Sequence, residues 1–187
     1  MSLQPILILP DNRLRLISDP VAGVDDGVRT LMDDMLETMY AAPGIGLAAV
    51  QVGEPKQIIV MDLGDREGAA EGDDEDATRG RRNPRYFINP EIVWASEDLA
   101  SYEEGCLSFP QIRGDVKRAI AITVKFQDER GVPHVLRCDD LLARCIMHEA
   151  DHLNGVLFID HMTKKTYAKI DEAVKTLAAE TKAAAKA

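Results

Sequence analysis

Cys145-Ile146-Met147-His148-Glu149-Ala150-Asp151-His152-Leu153-Asn154-Gly155 carries a His-Glu-x-x-His pattern inside a segment of helical periodicity. Residues four apart on a helix lie one above the other, so His148 and His152 aim both imidazoles at one spot. Two nitrogens placed that way can share a metal ion. Glu149 stands one step round from His148, near enough to exchange a proton beside the ion without ligating it. A five-residue pattern with two free positions also arises by chance on solvated helix faces. Here Leu141, Leu142, Cys145 and Ile146 precede it and Leu153, Val156 and Leu157 follow, which makes this a core helix. Burying two histidines and a carboxylate is costly unless a metal or hydrogen-bond partners compensate. A catalytic metal site is therefore favoured, with a structural metal site second and a solvated face last.

Working outward, 187 residues with 45% apolar content suit one domain with a substantial core. No run of about eighteen apolar residues is present to span a membrane. The apolar patch at residues 5–10 has no basic residue before it and no small-residue cleavage site, so the expectation is a cytoplasmic protein without a signal peptide. Three cysteines, Cys106, Cys138 and Cys145, are an odd number at no zinc-finger spacing, which fits free thiols in a reducing compartment. A net charge of −10 argues against broad nucleic-acid binding, DNA included. Residues 162–187 differ: six lysines against three acids give this tail +3 and leave −13 for the rest.

Upstream of the motif, residues 5–9 suit a short strand or buried extended segment, and residues 13–17 are expected to continue it. Asp25 is a candidate N-cap for a helix over residues 26–40, with Val28, Leu31, Met32, Met35, Leu36 and Met39 on one stripe. Ala41-Ala42-Pro43-Gly44 ends it. The small-residue run Gly44-Ile45-Gly46-Leu47-Ala48-Ala49-Val50-Gln51 leaves room for another backbone, such as a substrate peptide, to lie close. Strands are expected over residues 57–63, 85–90, 91–100, 119–127 and 133–138, the last two joined as a hairpin through Asp128-Glu129-Arg130-Gly131. Residues 64–83 read as a charged, solvated loop whose acids do not match an EF-hand. Glu103-Glu104-Gly105-Cys106-Leu107-Ser108-Phe109-Pro110 packs an acid, a thiol and a hydroxyl into one bend. Asp139 or Asp140 caps the motif helix and Gly155 ends it. A final helix within residues 162–187 carries the narrower stripe Tyr167, Ile170, Val174 and Leu177.

Two histidines leave a catalytic site one protein ligand short. A further histidine six residues beyond the second would complete one protease pattern, but that position is Phe158. Glu172, His161 and Cys106 all remain candidates, and spacing does not choose among them.

Three blocks then occur together in order: 44–51 (Gly-Ile-Gly-Leu-Ala-Ala-Val-Gln), 104–108 (Glu-Gly-Cys-Leu-Ser) and 148–155 (His-Glu-Ala-Asp-His-Leu-Asn-Gly). Together they resemble the peptide deformylase family across nearly the whole chain. The resemblance implies an α+β fold, small mixed and antiparallel sheets packed around a central metal-binding helix with helices at both ends. It implies that Cys106, His148 and His152 hold one divalent metal, iron(II) in the cell and zinc, nickel or cobalt in purified protein. Glu149 would be the acid/base, with the Gln51 amide and the Leu107 N–H as oxyanion donors. Ile45, Leu141 and Cys145 fall where the family builds its methionine pocket, and Gly46 and Arg113 fall near the peptide path. Glu104, with Gly105 beside it, would support the metal site or the pocket. The implied activity is hydrolysis of the formyl group from formylmethionyl nascent chains, releasing formate, with the basic C-terminal helix docking on the ribosome. The chain departs from the family at Met147, where glutamine is usual, at Arg144 and Tyr102, where aliphatic residues are common, and in the length of the 64–83 loop.

Overall fold

A computed structural model describes residues 2–64 and 82–185. Its longest N-terminal element, α1 (Asp26–Ala41), starts where Asp25 accepts a hydrogen bond from the Val28 N–H at 2.8 Å. Seven of the strands are β1 (Gly46–Ala48), β2 (Ile58–Met61), β3 (Arg85–Ala95), β4 (Leu99–Cys106), β5 (Phe109–Ala119), β6 (Ala121–Gln127) and β7 (Pro133–Asp139). The motif helix is α2 (Asp140–Leu153), and the C-terminal part divides into α3 (Lys164–Tyr167) and α4 (Asp171–Ala184).

Five strands form one antiparallel sheet in the order β1-β2-β3-β6-β7, and β4 pairs with β5 in a separate two-stranded sheet. Strand β2 is buried at every position. Its side chains alternate between layers: Ile58 and Val60 pack with Val28, Met32, Met35 and Met39 of α1, whereas Ile59 and Met61 pack with Leu142, Ala143, Ile146 and Met147 of α2. A strand covered on both faces reads as a continuous apolar run, as Ile-Ile-Val-Met does. The motif helix therefore lies against the sheet on the side opposite α1. A third apolar cluster, including Leu14, Phe109, Val116, Phe158 and Val174, packs the β4–β5 sheet against the segments on either side of it in sequence. The result is the expected α+β fold, although both named sheets are antiparallel among the described residues. None of the described helices is long and apolar enough to cross a membrane.

Several expectations need correction. Residues 13–17 do not extend the N-terminal segment, because Asp11 accepts from the Arg13 N–H at 2.9 Å and starts a 3-10 turn, Asn12–Arg15. The boundary expected at Pro90 is absent. Strand β3 passes through it with irregular register between Ile88 and Glu91 and again between Ile92 and Trp94, which accommodates the missing N–H. Residues 96–98 make the real break, so the strand expected at 91–100 is shared between β3 and β4. Most of β5 was not foreseen, since Pro110, Gly114 and alternating charges mask its period. The final helix is interrupted at residues 168–170, and of its stripe only Val174 is fully buried. Most of the 64–83 loop lies outside the described residues.

Candidate metal centre

Three elements converge on the centre. Helix α2 presents His148 and His152 from successive turns, their ring centroids 5.1 Å apart. The β4–β5 corner delivers Cys106, whose Sγ lies 3.3 Å from His152 Nε2. Ligand atoms of Cys106, His148 and His152 all fall within 4.8 Å of one another. Of the candidates left open by spacing, Cys106 is the one gathered with the two histidines. His161 instead bonds Asp151, and Glu172 is exposed.

This donor set suits a divalent transition ion. One soft sulfur and two imidazoles match zinc, iron, cobalt or nickel. His148 commits Nδ1 to Glu104 Oε2 at 2.9 Å, which leaves its Nε2 for the cluster. His152 Nδ1 and Glu149 Oε2 are buried without a hydrogen-bond partner among the described residues.

Beneath His148 lies a buried ionic network that sequence reading did not find. Arg118 donates from Nε and Nη2 to the two oxygens of Glu104, at 2.5 and 2.9 Å, and from Nη1 to Asp151 Oδ2 at 2.8 Å. Burial alone would raise the Glu104 pKa, but the bonds from His148 and Arg118 more than offset it and hold the group down at about 2. Glu104 is therefore a carboxylate that fixes the His148 tautomer. Burial also opposes charge on His148, yet Cys106 and Glu104 outweigh it and keep its pKa well up; at His152 burial, joined by the positive charges of His148 and Arg118, pushes the pKa well down. Asp151 occupies a free position of the His-Glu-x-x-His pattern and could have been flagged there. Arg118 had no spacing signal at all.

Glu149 is buried, and that burial pushes its pKa up to about 7. Its Oε1 lies against Gly46, where an added Cβ would come within 2.6 Å. Gly46 is thus a position where only glycine lets β1 and the carboxylate sit together. Gln51 is anchored by its Oε1, which accepts from the Ala48 N–H at 2.8 Å. This turns Nε2 toward Ser108 Oγ at 3.1 Å and Cys106 Sγ at 3.6 Å. Leu107 follows Cys106 directly, and its side chain crowds Gly44, where a Cβ would sit 2.7 Å from Leu107 Cδ1.

Cys106 and His148 of the cluster line an open cleft of about 790 Å³. Every residue singled out for the peptide path lines it: Ile45, Gly46, Glu104, Gly105, Arg113, Leu141 and Cys145, along with Gln51, Leu107 and Glu149. Arg144 also lines this cleft, its guanidinium 3.7 Å over the Tyr102 ring, so the two departures from the family pattern pair with each other.

An α+β scaffold with a Cys/His cluster that could hold a metal ion and a buried carboxylate lining an open cleft is an arrangement suited to a hydrolase. The model of the family described as polypeptide deformylase matches residues 3–168. A peptide deformylase of Phenylobacterium zucineum is 48% identical over 184 residues, covering 98% of this chain and 100% of its own. One of Methylocella silvestris is 52% identical over 170 residues, 91% of this chain and 82% of its own. Among solved structures, a plant peptide deformylase superposes with a TM-score of 0.88 at 30% identity, covering 100% of this chain and 95% of its own. The Ehrlichia chaffeensis peptide deformylase in complex with actinonin gives 0.82 at 39%, covering 96% and 98%. The chain belongs to the peptide deformylase family.

Proposed function

We propose that this protein removes the N-formyl group from the formylmethionine of nascent polypeptides, releasing formate. The observation that carries this reading is the Cys106–His148–His152 cluster, two of whose members line one cleft together with the buried Glu149. Cys106, His148 and His152 would hold one divalent ion, iron(II) in the cell, with zinc, nickel or cobalt substituting in purified protein. When bound, such an ion acts as a Lewis acid, polarising a carbonyl and lowering the pKa of water to about 7.

The chain's own residues supply the rest. Glu149 takes a proton from the attacking water as its oxygen bonds to the formyl carbon, then delivers that proton to the departing amine nitrogen. A carboxyl with a pKa near 7 is suited to both steps. Negative charge gathers on the former carbonyl oxygen. The Gln51 Nε2–H and the Leu107 backbone N–H meet it there, and removing one such donor typically costs about a hundred- to thousandfold in rate. Ile45, Leu141 and Cys145 take the first side chain, while Gly46, Gly105 and Arg113 border the peptide backbone. Glu104 acts through His148. The whole chain works as one catalytic domain in the cytoplasm, with its basic C-terminal segment, residues 162–187, turned to the ribosome and without use of membrane or DNA.

The test is formate release from formyl-Met-Ala-Ser by metal-loaded protein. Wild type is expected to release one formate per peptide and to ignore the unformylated tripeptide, while Glu149→Ala loses turnover and keeps its metal. Equal turnover by Glu149→Ala would remove the assignment, and cleavage of unformylated peptides would favour a general metallopeptidase.

A further inference from the structure

His161 and His134 are the two histidines that the site described so far does not use, and His161 is the one that reaches it. Its Nε2–H donates to Asp151 Oδ2 at 2.8 Å, the same oxygen that accepts from Arg118 Nη1 at 2.8 Å. Arg118 places its other two donors on Glu104, and Glu104 Oε2 accepts from His148 Nδ1 at 2.9 Å. A continuous hydrogen-bonded path therefore joins an exposed imidazole to one buried at the cluster. We infer that His161 is a positioning residue for the metal centre, holding Asp151 inward so that Arg118 and Glu104 keep His148 in its ligating orientation. This rests on the reading of Cys106, His148 and His152 as ligands.

Asp151 is the weak link in the path. Its side chain is 22% exposed, against 4% for Arg118 and 8% for Glu104, so of the links between His161 and the cluster it is the one most open to water. If Asp151 swings outward, Arg118 Nη1–H is left buried without a partner, which is costly. The guanidinium relieves that cost by rotating, and a rotation disturbs both arms of its bidentate grip on Glu104. Glu104 then no longer fixes the tautomer and ring angle of His148. A second donor on Asp151 Oδ2 from the solvent side opposes the first step.

The element carrying His161 is itself fixed. His161 ends the 3-10 turn Phe158–His161, in which Asp160 accepts from the Leu157 N–H at 2.8 Å and pairs with Arg15. At the start of that turn the Phe158 ring stacks on His148, centroids 6.2 Å apart and planes at 26°. One turn thus reaches the same histidine twice, by a ring face and through the polar path.

Outer partners of metal-bound histidines typically contribute about ten- to a hundredfold in metal affinity. Because His161 stands several bonds out, the lower figure is expected. The experiment measures zinc and cobalt(II) affinity of the full chain by chelator competition, together with the melting temperature of the metal-free protein. His161→Leu is expected to weaken affinity about tenfold with the metal-free melting temperature unchanged, and His161→Gln, which keeps an N–H donor, to recover most of it. His134→Leu is the matched control, because His134 makes a similar exposed bond to Asp128, at 2.9 Å, on the β6–β7 hairpin. The control should bind metal as wild type does. The inference is overturned if His161→Leu binds metal no more weakly than His134→Leu, or if its loss tracks a lower metal-free melting temperature that His161→Gln does not repair. A wild-type chain that binds no ion would overturn the ligand reading and this inference with it, whereas tight wild-type binding with an unaffected His161→Leu overturns this inference alone.

Discussion

Two buried carboxylates that line one cleft are driven to opposite states by their surroundings. Glu104 has bonds from His148 and Arg118 and is held at about 2, below an ordinary 4.5. It contributes stability that is fully present above pH 4.5 and is lost as pH falls toward 2. Glu149 is buried with an unpartnered oxygen, and burial raises it from 4.5 to about 7. The sign reverses: the folded state binds the extra proton, so stability falls as pH rises from 4.5 to about 7. Over the same window His152, held neutral by burial, contributes in the opposite direction, so the Glu149 contribution is read as a difference: metal-free Glu149→Gln should gain stability, measured as melting temperature, relative to wild type as pH rises from 4.5 to about 7. A slope identical in both proteins would contradict the environment assigned to Glu149. Removing Arg118 is a different perturbation, since it strands a buried Glu104 charge. Arg118→Met should cost about 3–5 kcal/mol in denaturant unfolding, as is usual when one partner of a buried ion pair is deleted.

At the scale of elements, the site depends on α2 lying close to two other backbones. Strand β1 comes so near that a Cβ on Gly46 would meet Glu149 Oε1 at 2.6 Å. Gly46→Ala should therefore displace the carboxylate and lower kcat/KM by about a hundredfold, the cost of a displacement near an ångström, with metal content unchanged. At the other end of α2, Gly155 has φ of +69° and an added Cβ would sit 2.5 Å from the Arg15 carbonyl oxygen. Gly155→Ala should lose more than about 1 kcal/mol of stability, through the left-handed backbone and the clash together. Gly155 matches the helix stop read from sequence, whereas the room expected at Gly46 for another backbone is, on the described structure, bordered by the Glu149 side chain. The 3-10 turn at 158–161 had no such signature. Phe158 was noticed only because it is not a histidine, and its packing on His148 is a tertiary contact without a sequence period.

Across the whole molecule, legibility follows the range of the interaction that fixes each part. Helix α1 was readable from its Asp25 cap and apolar stripe, and α2 from its motif and apolar stripe, although Asp139 stands at the N-cap of α2 without a side-chain capping bond. Strand β2 was readable because both faces are apolar. Strand β5 and the passage of β3 through Pro90 depend on partners far along the chain, and local signals pointed elsewhere. The same division holds within the site: His148, Glu149 and His152 share one helix and one motif, whereas Cys106 needed a resemblance and Arg118 needed coordinates. Charge is divided too, with an acidic body and a tail of +3 over residues 162–187. If that tail docks on ribosomal RNA, removing residues 168–187 should abolish co-sedimentation with ribosomes, and intact-chain binding should weaken steeply with salt. Co-sedimentation unaffected by the deletion would leave α4 as a packing element only. The claim beneath the proposed chemistry is that one sulfur and two imidazole nitrogens of this chain bind a single ion. X-ray absorption at the metal edge of the zinc-loaded protein tests it: the expected spectrum shows one sulfur and two imidazoles, the sulfur vanishing in Cys106→Ser, and a spectrum without sulfur, or with two, would contradict it.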